Sequence, residues 1–193
     1  METGLPNKQM FAIVVKYVNK CNINYYSGFK VEALSIEDQV LTCLMKLRQN
    51  YPNLHLGEIV GVSTRTISNI VFTFIHLLHR LLFKDCMSSV PSRMKTASSL
   101  PESFSIFPNC RMILDCTDIK TAAPRPMDEQ KLTYSSYRGM NSFKVLIGVA
   151  PNAVVTFVSK LCTGSVSDTA IVQDSGVLNV FEPGDSILID KEF

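Results

Sequence analysis

The chain has 193 residues, enough for one medium domain or two small ones, and 46% of them are apolar, which excludes wholesale disorder. The formal net charge of +2 is unevenly spread: residues 1–110 carry 11 Lys/Arg against 7 Asp/Glu, and residues 111–193 carry 8 against 10. A mildly basic first half before a mildly acidic second half suits a binding module followed by a carboxylate site.

Residues 1–33 allow no functional assignment: Phe11–Val18 fits a short helix or a strand, and Asn22–Gly28 reads as a loop. No charged region leads into an apolar run here, so no signal peptide is expected. Residues 35–83 read as helical. Ser35 is a plausible N-cap, with Glu37 and Asp38 in the first turn, and Val40, Leu41, Leu44, Met45 and Leu47 recur at helical spacing. Pro52 is expected to end this helix. A second helix spans roughly Leu54–Val60 and stops at Gly61. Ser63 caps a third, whose apolar face carries Ile67, Ile70, Val71, Phe74, Leu77, Leu78 and Leu81. The apolar stretch Ile70–Phe83 is broken by Thr73, His76, His79 and Arg80, too short and too polar to span a bilayer.

Two short helices joined at Gly61-Val62-Ser63 form a helix-turn-helix pattern. In the DNA-binding version the second helix enters the major groove N-terminus first, exposing Thr64, Arg65, Thr66, Ser68 and Asn69. Arg65 suits guanine or phosphate, Asn69 suits adenine, and the hydroxyls suit phosphate. An ordinary helical bundle with a polar exposed face fits the same spacing.

Residues 84–110, rich in Ser and Pro, read as a connector. The pattern then becomes strand-like: Met112–Thr121, Phe143–Ala150, Val154–Leu161 and Ser186–Asp190 are candidate strands, with a turn at Pro151-Asn152. Thr169–Gly176 reads as a short helix capped by Ser167 or Asp168. The fold class is therefore α/β: a helical region followed by a mixed β-sheet.

Asp115 lies within an apolar strand and Asp190 ends another. A buried aspartate needs a partner, and divalent cations supply one. Two carboxylates on adjacent strands can hold Mg²⁺ or Mn²⁺ through hard oxygen ligands, which promote phosphodiester cleavage. Alternation puts Asp118 on the opposite face from Asp115, making it the weaker candidate. Strand-end aspartates that cap neighbouring backbone would look the same. The six cysteines, Cys21, Cys43, Cys86, Cys110, Cys116 and Cys162, show neither CxxC nor zinc-finger spacing, which implies a reducing compartment.

From about residue 34 onward the order of these stretches resembles the Harbinger/IS5-like DDE transposases. Leu34–Gln39 with Leu44–Arg48, and Gly61-Val62-Ser63 with Thr66-Ile67-Ser68, resemble the family's helix-turn-helix. Leu114-Asp115-Cys116-Thr117-Asp118-Ile119 resembles its first catalytic strand, where glycine is usual in place of Cys116. Tyr134–Gly139 with Asn141, Phe143 and Lys144 resembles the lead into the next strand. Gly164–Asp168, and Gly184-Asp185 with Ile189-Asp190-Lys191 and Phe193, complete the likeness, with Glu192 where glycine is usual.

The resemblance implies an RNase H-like domain over 111–193, with residues 34–83 as the DNA-binding region and 84–110 as the connector. It implies Asp115 and Asp190 as the first two catalytic, metal-holding aspartates, with Mg²⁺ or Mn²⁺ as cofactor. It also implies DNA, such as transposon ends, as partner, assembly with a second copy or a companion DNA-binding protein, and a nuclear or cytoplasmic location. The family's third carboxylate, a glutamate on a later helix, has no counterpart before Phe193, so a truncated and inactive copy is expected. The alternative is a domesticated DNA- or protein-binding module without nuclease activity.

Overall fold

The computed structural model describes residues 2–83, 87 and 89–190. The chain divides into two compact units, Met1–Ser88 and Ser89–Phe193.

The first unit is helical. Helix α1 (Lys8–Val18) begins where the Asn7 side chain accepts the Met10 N–H, and it buries Val14, Val15 and Val18. The open choice between helix and strand there resolves as helix, because those valines recur at helical spacing. Helix α2 (Ile36–Gln49) is capped by Ser35, whose Oγ accepts the Asp38 N–H at 3.1 Å and donates to Asp38 Oδ2 at 2.7 Å. It ends not at Pro52 but at Asn50, in the left-handed conformation at φ 53°. Asparagine tolerates that region better than most residues, so it closes the helix before the proline is reached.

Helix α3 (Asn53–Val60) and helix α4 (Thr64–Leu78) flank a turn in which Gly61 is left-handed at φ 73°. A π-helical turn, His79–Phe83, extends α4. The resulting run Thr64–Phe83 is 20 residues long and apolar enough by composition to span a bilayer, unlike the shorter segment judged from sequence. Its apolar stripe is taken up inside the unit: Ile70, Phe74, Leu77 and Leu78 pack with Val14, Val18, Val40 and Cys43. Ile67 and Val71 pack with Met45 and Leu56.

The second unit is a mixed sheet with short helices. The stretch expected as a bare connector carries helix α5 (Arg93–Ser98), capped by Ser92, and a 3₁₀ turn at Glu102–Phe104. Strand β1 (Cys110–Lys120) is followed by helix α6 (Met127–Thr133), which the sequence pattern missed. Then come β2 (Tyr134–Ser135), β3 (Met140–Val149), β4 (Val155–Val158) and β5 (Cys162–Thr163). Helix α7 (Asp168–Asp174), a 3₁₀ turn (Val177–Val180) and β6 (Ser186–Ile189) complete the described residues.

Among those residues the sheet runs β2-β3-β1-β6, with β4 and β5 also paired to β3. The β1/β3 pair is antiparallel and the β1/β6 pair parallel. One face of β1 presents Met112, Leu114 and Cys116 to a core shared with Leu146 of β3 and with Ile171 and Val177. Gly148, opposite Leu114, leaves room for the Met112 side chain, which an added Cβ would strike. This is an α/β fold, consistent with a helix-turn-helix region followed by part of an RNase H-like domain.

Candidate functional site

In the second unit the site grows from the register of β1 against β6. Their parallel ladder pairs Ile113 with Leu188 and Leu114 with Ile189. One residue further along stand Asp115, within β1, and Asp190, just past the end of β6. Among the described residues the ladder ends at Ile189, so the second half of β1 is paired with β3 on one side and its other edge is unpaired. A cleft of about 320 Å³ occupies that edge, lined among others by Asp115, Asp118, Arg138, Lys144, Asp168 and Asp190.

Asp115 is exposed, not embedded as the apolar run around it suggested. Its neighbours Leu114 and Cys116 take the core face and leave Asp115 and Thr117 on the other. Asp118, expected on the opposite face from Asp115, also lines the cleft. Its carboxylate is already engaged: it accepts from Ser142 Oγ, and Arg138 Nε lies 3.7 Å away. Asp168 does not cap its helix. Ser167 does, accepting the Ala170 N–H at 3.2 Å, while Asp168 pairs with Lys144 Nζ at 2.9 Å. Lys144 also donates to the Val166 carbonyl at 3.1 Å, fixing the loop before α7.

Cys116 points at this ion pair from the core side. Burial first, and then the charge of Asp168 and a hydrogen bond to it, push the thiol up to about 12, so it stays protonated. Among the described residues no three His, Cys, Asp or Glu side chains converge closely enough to hold a metal ion. The donor set nonetheless suits a hard cation: two adjacent carboxylates at a solvent-open edge can bind one through oxygen, the rest of its shell being water.

Five residues before Asp190, the Asp185 carboxylate is almost fully buried. It accepts from Arg93 Nε at 2.9 Å and from the Glu182 N–H at 2.9 Å, with Arg111 Nε at 3.8 Å. Burial alone would raise its pKa; the Glu182 N–H, Arg93 and Arg111 outweigh that and hold it below the ordinary carboxylate value. This cluster ties α5 to the start of β6. Arg93 lies in the stretch read as a connector, where pattern carried no signal for it.

In the first unit the helix-turn-helix depends on Gly57, which sequence reasoning passed over. The Val62 N–H donates back to the Gly57 carbonyl at 3.0 Å, and a Cβ at Gly57 would lie 2.5 Å from the Val62 oxygen. Of the expected recognition residues, Thr64 and Arg65 are exposed. Thr66 shares its hydroxyl with the Ser63 cap at 2.9 Å. Ser68 is half-buried and accepts from Asn53 Nδ2 at 2.9 Å. Asn69 must be corrected: it is 1% exposed and cannot read a base. Its Oδ1 accepts the Ser27 N–H at 2.9 Å, and its Nδ2 donates to the Phe29 carbonyl at 3.0 Å.

Residues 32–84 match the helix-turn-helix of DDE superfamily endonuclease, and residues 114–193 match the DDE superfamily endonuclease itself. Over both matched segments the chain is similar to DDE superfamily transposase-like proteins. It is also similar to a protein from Arabidopsis thaliana named Protein ALP1-like, 24% identical over 161 residues. That match covers 82% of this chain and 38% of the relative, so the chain spans about two fifths of the relative's length. No solved structure matches.

Proposed function

We propose that this chain is a transposase-derived protein of the Harbinger/IS5-like kind, acting on DNA in the nucleus. In this reading α4 docks its N-terminus on duplex DNA through Arg65 and Thr66, and Asp115 with Asp190 holds one Mg²⁺ or Mn²⁺ ion. The observation that carries it is the parallel register Leu114–Ile189, with two aspartates following in step at the mouth of one cleft. A bound divalent ion would supply the charge that activates a water and steadies a leaving oxygen. The residues' own work is to orient it: Asp115 and Asp190 as ligands, with the half-exposed Arg138 as a cation facing phosphate.

We further propose that the chain binds without cleaving. Two-metal chemistry needs additional carboxylates, and among the described residues of the cleft Asp118 is paired with Arg138 and Asp168 with Lys144. That commitment also favours the second reading, a DNA-binding module that keeps the fold without the chemistry. A second copy or a companion DNA-binding protein is a proposed partner in either case.

The test is calorimetric titration with Mn²⁺, together with a nicking assay. One weak site, roughly millimolar, should vanish in Asp115→Asn and in Asp190→Asn, with no nicking by any variant. Mn²⁺ binding unchanged by both substitutions would refute the metal site and leave the binding module. Nicking that disappears in Asp115→Asn would refute the proposed inactivity.

A further inference from the structure

The loop ahead of the helix-turn-helix is laced to α4 along its length. Besides the two Asn69 bonds, the Tyr26 N–H donates to Thr73 Oγ1 at 2.9 Å. From the other side, buried Gln39 donates to the carbonyls of Val31 at 3.1 Å and Leu34 at 2.8 Å, and accepts from the Tyr25 hydroxyl at 2.8 Å. Gly28, at φ 79°, supplies the turn. Three polar side chains, Gln39, Asn69 and Thr73, are thus buried to hold one segment without regular structure.

What that segment presents outward is aromatic. Tyr26 is 66% exposed, Phe29 52%, and Phe72 of α4 47%. The Tyr26 and Phe72 rings stack at 5.0 Å and 29°. The Arg65 guanidinium lies 5.7 Å over the Phe29 ring. Further along α4, His76 and Arg80 line a cleft of about 260 Å³ with Asn24 and Thr73. Cations therefore stand at both ends of an aromatic strip, about 22 Å apart at the helical rise of ~1.5 Å per residue.

Duplex DNA offers base edges and phosphates but no free π-face within its stack. Unpaired bases offer their faces, and interleaved aromatic and basic side chains are how proteins hold them. We propose that Arg65, Phe29, Tyr26, Phe72, His76 and Arg80 form a track for an unpaired DNA strand continuing from the duplex at the α4 N-terminus. Arg65, at the junction, serves both. Residues 23–30 lie outside the matched helix-turn-helix segment, so the track adds a second DNA-binding element to it. The proposal rests on the duplex-binding reading of α4.

The experiment uses the full chain and fluorescence anisotropy. Probes are a blunt duplex and the same duplex with a ten-nucleotide single-stranded arm carrying 2-aminopurine. The arm should tighten binding about tenfold, the gain expected from stacking a base or more, and the 2-aminopurine emission should be quenched. Tyr26→Ala with Phe72→Ala should abolish both the gain and the quenching while leaving blunt-duplex affinity within about twofold, and Tyr26→Phe should retain them. Arg80→Ala should reduce the salt slope for the armed probe by about one, without affecting the blunt one. Circular dichroism confirms that the variants are folded.

Equal affinity for the two probes, or a gain that survives the double variant, would overturn the track while leaving duplex binding intact. So would concentration-dependent self-association that depends on Tyr26 and Phe72 without any arm effect. Binding of the arm alone would sustain the track and refute the duplex reading. Binding of neither probe would refute both.

Discussion

Asn69→Ala separates a base-reading residue from a structural one. The side chain is fully enclosed and makes two hydrogen bonds to the loop backbone, one accepted from Ser27 and one donated to Phe29. At ~1 kcal/mol net for each bond, the loss comes to about 2 kcal/mol. Ser27 and Phe29 are exposed, so water can take over their freed groups, which keeps the cost near this value instead of at the full penalty for buried unsatisfied groups. In a unit of this size about 2 kcal/mol lowers the melting temperature by roughly 8–16 °C. The assay is urea denaturation followed by far-UV circular dichroism, with duplex binding measured below the transition of both proteins. The midpoint should fall at unchanged slope, and the folded variant should bind blunt duplex within about twofold of the parent. Stability within ~0.5 kcal/mol of the parent, combined with lost duplex binding, would refute the assignment and return Asn69 to the recognition surface.

Gly57→Ala should destabilise the first unit by about 1–2 kcal/mol by urea denaturation, because overpacking against the Val62 carbonyl outweighs the helix-propensity gain of alanine. Asp185→Asn should cost about 3 kcal/mol or more, since it leaves the Arg111 guanidinium buried beside a neutral group. Because the Asp185 pKa is depressed, its contribution is complete above the ordinary carboxylate value of ~3.9 and is lost as pH falls through the lower folded value. Acid denaturation curves of Asp185→Asn should therefore be flatter below about pH 4 than those of the parent. Iodoacetamide at pH 8, read by mass spectrometry, should leave Cys43 and Cys116 unmodified, both thiols being held near 12, while the partly exposed Cys21 and Cys162 react.

Local signals in the sequence determined most of the elements. The Ser35 and Ser63 caps, the left-handed Gly61 and the helical spacing of Ile67, Ile70, Phe74 and Leu77 act within a turn or two of chain, so pattern reads them directly. The same holds for β1, β3 and β6, whose apolar runs needed no partner to be visible. Asp115 and Asp190 could be picked out as carboxylates at apolar strand patterns, but their meeting at one cleft is a property of β1 pairing with β6, 75 residues further along the chain.

Tertiary structure alone decided which polar residues face solvent. Asn69 sits at the N-terminal end of α4, where spacing alone puts it on the reading face. It is buried because a loop some forty residues earlier folds over it. Gln39 and Thr73 are hidden by that loop for the same reason, and Asp118 joins Asp115 at one cleft through contacts with Ser142 and Arg138 that lie outside its own strand. Helix α6 and strands β2 and β5 escaped detection because two to seven residues give too few repeats to establish a period, and β2 and β5 are held by pairing with β3. Periodicity reports which face of an element is apolar; the partner that covers it is fixed by contacts distant in the chain.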